Sequence, residues 1–108
     1  MERMEELTKT LTRLGKDKPK ELNSFMNFMK EVEGGGVIDK KNKALILISL
    51  AVNTQCGWCI TAHVAGAVKA KASKEEILDA SMLAVVMGGG PKMMYMSMVY
   101  EELDKYFK

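Results

Sequence analysis

The chain has 108 residues, enough for one domain with one modest core. Its hydrophobic fraction of 47% is that of a globular protein, and 16 basic against 14 acidic residues leave a net charge of +2. These charges are interspersed along the whole length, so no face or tail is reserved for phosphates and nucleic-acid binding is not expected. The start, Met1 to Glu6, is charged and lacks the apolar stretch of a signal peptide. The longest apolar run, Ala44 to Val52, is too short to cross a bilayer. The expectation is a soluble cytoplasmic protein with no membrane partner.

The hydrophobic pattern is helical from end to end. Met4, Leu7, Leu11 and Leu14 recur at three- and four-residue steps, with Gly15 as the expected stop. Pro19 suits the first turn of a second helix, whose stripe is Leu22, Phe25, Met26, Phe28, Met29 and Val32 and whose end is Gly34-Gly35-Gly36. Asp39 is placed to cap a third helix, and the run Ala44-Leu45-Ile46-Leu47-Ile48 makes that helix apolar on nearly every side. Such a helix is buried, in the core or between subunits. No second strand-like run exists to pair with it, so a helix is preferred over a strand.

A fourth helix is expected from the cysteines at 56 and 59 to about Lys71, lined with small residues that admit a close neighbour. Ser73-Lys74-Glu75-Glu76 matches a capping box opening a fifth, with Ile77, Leu78, Met82, Val85 and Val86 inward. Gly88-Gly89-Gly90-Pro91 breaks the chain, and a last helix carries Met94, Met98, Leu103 and Tyr106. The result is a single all-α domain of about six helices. Ten methionines, most of them late in the chain, read as adaptable core and interface contacts. Tyr95 and Tyr100 read the same way, and Lys40, Lys41 and Lys43 read as a solvated helix start.

Both cysteines and the single histidine fall in Cys56-Gly57-Trp58-Cys59-Ile60-Thr61-Ala62-His63. On a helix, residues three and four apart are neighbours, so Cys56, Cys59 and His63 share one stripe. Two thiols able to bridge, beside a group that titrates near neutral pH, suit redox chemistry. Zinc could take the same three residues as ligands, but the chain has no further Cys or His to complete a structural site. An iron–sulfur cluster would need two chains, and covalent haem is excluded because no histidine directly follows Cys59. Simple core packing is the remaining alternative, and the face shared with His63 argues against it. A helix dipole favours a thiolate at Cys56, while proximity to His63 favours one at Cys59. The histidine is the more specific influence, because the helix start is fixed only to within a few residues. Trp58 either covers the sulfurs or packs on a neighbouring helix.

The segment Asp39 to Pro91 resembles the carboxymuconolactone decarboxylase superfamily, in particular its alkylhydroperoxidase AhpD-like branch. The resemblance rests on the charged helix start, the apolar helix, Cys-x-x-Cys-x-x-x-His, Ser73-Lys74-Glu75-Glu76-Ile77 and the Gly88-Pro91 break. It implies a family core at about residues 39–100, preceded by amino-terminal helices at 2–33, in one domain spanning 1–108. It also implies a homo-oligomer, trimeric or hexameric, that cycles between dithiol and disulfide. Under that likeness Cys59 is the peroxidatic thiol, Cys56 the resolving thiol and His63 the proton acceptor. The substrate is then a peroxide or a disulfide, the reductant an external dithiol, and neither cofactor nor metal is needed. The family's relay glutamate stands twelve residues before the first cysteine, and here that position is Ala44. Asp39, Glu75 and Glu76 are the nearby carboxylates that could replace it. The alternatives are a lactone enzyme of the decarboxylase kind that uses His63 without the cysteines, and a non-enzymatic metal-binding or assembly module.

Overall fold

In the computed structural model, which describes residues 2–108, every regular element is a helix: α1 (Arg3–Asp17), α2 (Pro19–Gly34), α3 (Lys40–Asn53), α4 (Gly57–Lys69), α5 (Lys74–Gly88), α6 (Gly90–Met93) and α7 (Met96–Tyr106). Two helix starts follow directly from the sequence. The Asp39 carboxylate accepts the Asn42 backbone N–H at 2.8 Å to open α3. At α5, Ser73 Oγ accepts the Glu76 N–H at 3.1 Å while Glu76 Oε1 accepts the Ser73 N–H at 2.9 Å.

The structure departs from expectation in three places. α1 runs through Gly15 to Asp17, because one glycine costs a helix only about 1 kcal/mol. Pro19 sets the boundary instead, forcing Lys18 out of helical geometry to φ −138° and ψ 62°. The expected last helix is divided: α6 is a single turn, and i→i+3 hydrogen bonds from Tyr95 N–H to Lys92 O and from Met98 N–H to Tyr95 O tighten the chain before α7. The tightening turns Met96, Val99 and Leu103 inward and leaves Met94 and Tyr106 exposed.

The third difference concerns faces rather than ends. On α5 the small residues Ala80, Ser81 and Ala84, together with Ile77, face the core, while Met82 and Val86 point to solvent. Small side chains let α5 lie close against α3, and close backbone approach outweighs burial of the larger residues on this face. The core is built from α3, α4, α5 and α7, with Ile48, Val52, Ile60, Val64, Ile77 and Leu103 fully buried. α2 has no fully buried residue, and its Phe25, Phe28 and Val32 are exposed.

Two helix ends hold a left-handed residue that is not glycine. After α3, Gln55 lies at φ 58°, with Gln55 N–H donating to Val52 O and Cys56 N–H to Ala51 O. After α4, Lys71 at φ 72° and the buried Ala72 repeat that pattern onto Val68 O and Ala67 O. Both are Schellman turns, which satisfy the helix-end carbonyls and reverse the chain. The first makes α3 and α4 an antiparallel hairpin and delivers Cys56 to the start of α4.

α1 is fixed to this core by a buried carboxylate. Glu102 of α7 is 2% exposed, and its Oε2 accepts from Arg3 Nη2 at 3.0 Å and from Thr61 Oγ1 at 2.9 Å. Arg3 Nε also donates to Thr61 Oγ1 at 2.7 Å, and Lys105 Nζ reaches Glu102 Oε2 at 3.2 Å. Removing one partner of a buried ion pair strands the other, although Lys105 here remains to share the charge. Arg3→Ala should therefore lower the unfolding free energy by about 1–3 kcal/mol in urea titration. Lys9→Ala, on an exposed position of the same helix, should change it by less than about 0.5 kcal/mol.

Candidate active site

The Schellman turn after α3 makes Cys56 the N-cap of α4, and its Sγ accepts the Cys59 backbone N–H at 3.2 Å. A sulfur in that position faces the free N–H groups and positive end of the helix, which favour its thiolate when the pair is reduced. In the structure Cys56 and Cys59 are joined as a disulfide, with Cα atoms 5.2 Å apart. Cys59 is half-buried and packs against the core. Gly57 sits in close quarters between them: a Cβ there would stand 3.2 Å from both Arg3 Cδ and Met98 Sδ, so those side chains would have to shift by a few tenths of an ångström. Trp58 turns outward, half exposed, and its Nε1 lies 3.4 Å from Glu6 Oε1 of α1. It therefore braces α1 against α4.

His63 lies one turn beyond Cys59, partly buried, and lines a cleft of about 670 Å³ between α2, α3 and α4. Met26 and Met29 of α2 and Ala44 and Leu47 of α3 supply its apolar wall. The cysteines are not among the lining residues, whereas His63, one turn beyond Cys59, is. Burial pushes the imidazole below the ordinary histidine value, and the Glu33 carboxylate of α2 opposes that shift. Glu33 lines the same cleft as Ala44 and His63.

None of the three carboxylates expected to replace a relay glutamate is among the cleft residues. Asp39 caps α3, and Glu76 is hydrogen-bonded to Lys41 Nζ at 2.8 Å as well as to Ser73. That pairing holds the Glu76 carboxyl below, and the Lys41 ammonium above, their usual values. Glu33 was missed because it precedes the histidine by thirty positions on a helix whose sequence shows only an apolar stripe.

A larger groove of about 800 Å³ between α3 and α5 is lined by Leu45, Ile46, Leu50 and Leu83. It holds no cysteine or histidine, and its polar lining is Asn42, Ser49, Glu76 and Asp79. Among the described residues, no group of three or more His, Cys, Asp or Glu is placed to hold a metal ion. No helix is long and apolar enough to cross a membrane among those residues.

An all-helical fold with a capped Cys-x-x-Cys at one helix start narrows the class, and comparison with known proteins gives the family. The profile of the carboxymuconolactone decarboxylase family matches residues 19–102, and the chain belongs to that family. A crystal structure of an apo carboxymuconolactone decarboxylase family protein from Legionella pneumophila is 35% identical and superposes with a TM-score of 0.92, covering 98% of this chain and 95% of that one. Two relatives named only as uncharacterised are also similar. The Cupriavidus necator protein is 29% identical over 94% of this chain and 90% of its own length. Uncharacterised protein 4 of the Paracoccus denitrificans cox locus is 35% identical over 77% and 75%.

The histidine is unique in the chain, so its titration can be followed without ambiguity. Glu33→Gln should move the His63 NMR titration midpoint to lower pH, since the charge opposing burial is gone. An unmoved midpoint would show that Glu33 does not act on the imidazole. The unfolded chain takes up the histidine proton at higher pH than the folded one does. Stability should therefore fall as pH drops below about 6.5, and His63→Gln should flatten that loss.

Proposed function

We propose that the protein is a thiol–disulfide oxidoreductase of the AhpD-like kind, acting as a peroxidase with Cys59 as the attacking thiol. The observation that carries this reading is the bonded Cys56–Cys59 pair at the start of α4, with His63 one turn below. In the reduced enzyme His63 accepts the Cys59 proton, and the thiolate attacks the terminal oxygen of a hydroperoxide. The O–O bond breaks, an alcohol leaves with the proton returned from His63, and Cys59 becomes a sulfenic acid. Cys56, held as a thiolate by the Cys59 N–H and the helix start, attacks that sulfur. A disulfide forms, and water leaves on taking up a proton. An external dithiol then reduces the disulfide by exchange and is itself oxidised.

Burial supports the role given to His63. A lowered imidazole pKa keeps it neutral around neutral pH, the form able to accept a proton. We place the enzyme in the cytoplasm, where a dithiol reductant keeps the pair cycling. A homo-oligomer fits the exposed Phe25, Phe28 and Val32 of α2 and Leu83, Val86 and Met87 of α5, more apolar surface than a monomer usually shows.

Cys59→Ser and Cys56→Ser should each abolish catalytic turnover, by a factor of at least about 10³ in kcat. In intact-mass titration, hydroperoxide should remove two hydrogens from the reduced wild type, and dithiol should restore them. Cys56→Ser should stop at the sulfenic acid, one oxygen heavier. Undiminished peroxide consumption by Cys59→Ser would overturn the peroxidase reading. Lactone decarboxylation surviving replacement of both cysteines would favour the decarboxylase alternative.

A further inference from the structure

The cleft beside His63 has an uneven charge distribution. Lys30, Lys40, Lys43 and Lys69 line it from three different helices, against Glu33 as the single lining acid. Lys43 is engaged: its Nζ donates to Val32 O at 2.6 Å and to Gly35 O, tying the end of α2 to α3. Lys30, Lys40 and Lys69 form no ion pair among the described residues. Their charges therefore remain available to a bound anion.

The arrangement has a direction. At 1.5 Å per residue along α4, Lys69 lies about 9 Å beyond His63 and about 15 Å beyond Cys59. Lys40, at the start of α3, lines the same cleft as Lys69 at the end of α4, with which α3 packs across a short turn. Between His63 and Lys69 the helix surface is Gly66, and a Cβ there would meet nothing within 4 Å. Methionine and leucine side chains form the facing wall. The cleft is thus apolar along its length, basic at one end, and bordered by the imidazole toward the end nearer Cys59.

We propose that this cleft binds an acyl-chain substrate bearing a carboxylate. The carboxylate lies between Lys40 and Lys69, the hydrocarbon lies over Gly66, and the reacting end lies at His63. Resting on the peroxidase reading, this makes the substrate a carboxylate-bearing organic hydroperoxide whose anionic head is about 10–15 Å from its O–O bond. A positive end with apolar walls favours such a molecule over a neutral alkyl hydroperoxide of the same length, and over hydrogen peroxide, which spans neither feature.

Binding is tested without turnover, on the disulfide form, through the resonances of the single histidine. Octanoate should perturb them saturably at a concentration at least tenfold lower than octan-1-ol does. Lys69→Glu and Lys40→Glu should each remove most of that preference. Gly66→Leu, which fills open space and exchanges glycine for a better helix former, should abolish both responses with the fold intact by circular dichroism. Equal responses to octanoate and octanol, or a preference unchanged in both lysine variants, would overturn the proposal.

Kinetics then separate it from the reading beneath it. A fatty-acid hydroperoxide should show kcat/KM at least tenfold above that of tert-butyl hydroperoxide, with the advantage lost in Lys69→Glu. If both hydroperoxides oxidise the thiols equally well, the substrate proposal fails and the peroxidase stands. If octanoate binds as described but no hydroperoxide oxidises the thiols, the cleft assignment stands and the peroxidase fails.

Discussion

The carboxylate of Glu102 is the constraint on which the amino-terminal side of the site depends. A buried charge is tolerated only where enough donors meet it, and here they come from three helices. Arg3 reaches it from α1, Thr61 from α4 and Lys105 from its own helix. Arg3 passes so close to α4 that a Cβ at position 57 would press on its side chain. The spacer between the two cysteines therefore packs directly against a residue of another helix. One ion-pair cluster thus ties α1 and α7 to the first turns of α4, beside the cysteine pair.

The second constraint is the turn between α3 and α4. A Schellman turn closed by Cys56 N–H on Ala51 O leaves the Cys56 side chain at the N-cap. Gln55 takes the left-handed conformation usually given to glycine, so a side chain is kept there at some conformational cost. Its Oε1 accepts Lys92 Nζ at 2.7 Å, which links the turn to α6. The cysteine pair is thereby held from both directions, by α1 on one side and α6 on the other. A fixed sulfur separation favours ring closure because little conformational freedom remains to be lost.

Much of this was legible in the sequence, and what was not shares a physical cause. The stripe of Cys56, Cys59 and His63, the Asp39 cap and the Ser73–Glu76 box are local, since each depends on residues within one or two helical turns. The inward face of α5 is not legible in the sequence, because hydrophobicity ranks Met82 and Val86 above Ala80 and Ala84, whereas close packing on α3 selects the small residues. Gly15 suggests an end for α1, but the proline four residues later is the stronger stop. Glu33 and the lysines of the cleft come from three helices, and no pattern within a single helix joins them. Lys40 and Lys43 read as a solvated helix start until the fold places them in the same cleft as Lys69 and His63.

That convergence bears on the alanine at position 44. Ala44 contributes only a methyl group to the cleft wall, while the carboxylate acting on His63 comes from α2 instead. A charge delivered from a separate helix need not be held as rigidly as one on α3. α2 has no fully buried residue, and Lys43 ties its final turn to α3. The electrostatics of His63 therefore depend on how firmly that turn is held. With Glu33 close, a charged imidazole at position 63 is favoured, and with it withdrawn, burial alone acts on the group. In this chain the proton chemistry of α4 is thus coupled to the seating of α2, an element that supplies little to the core and one wall of the cleft.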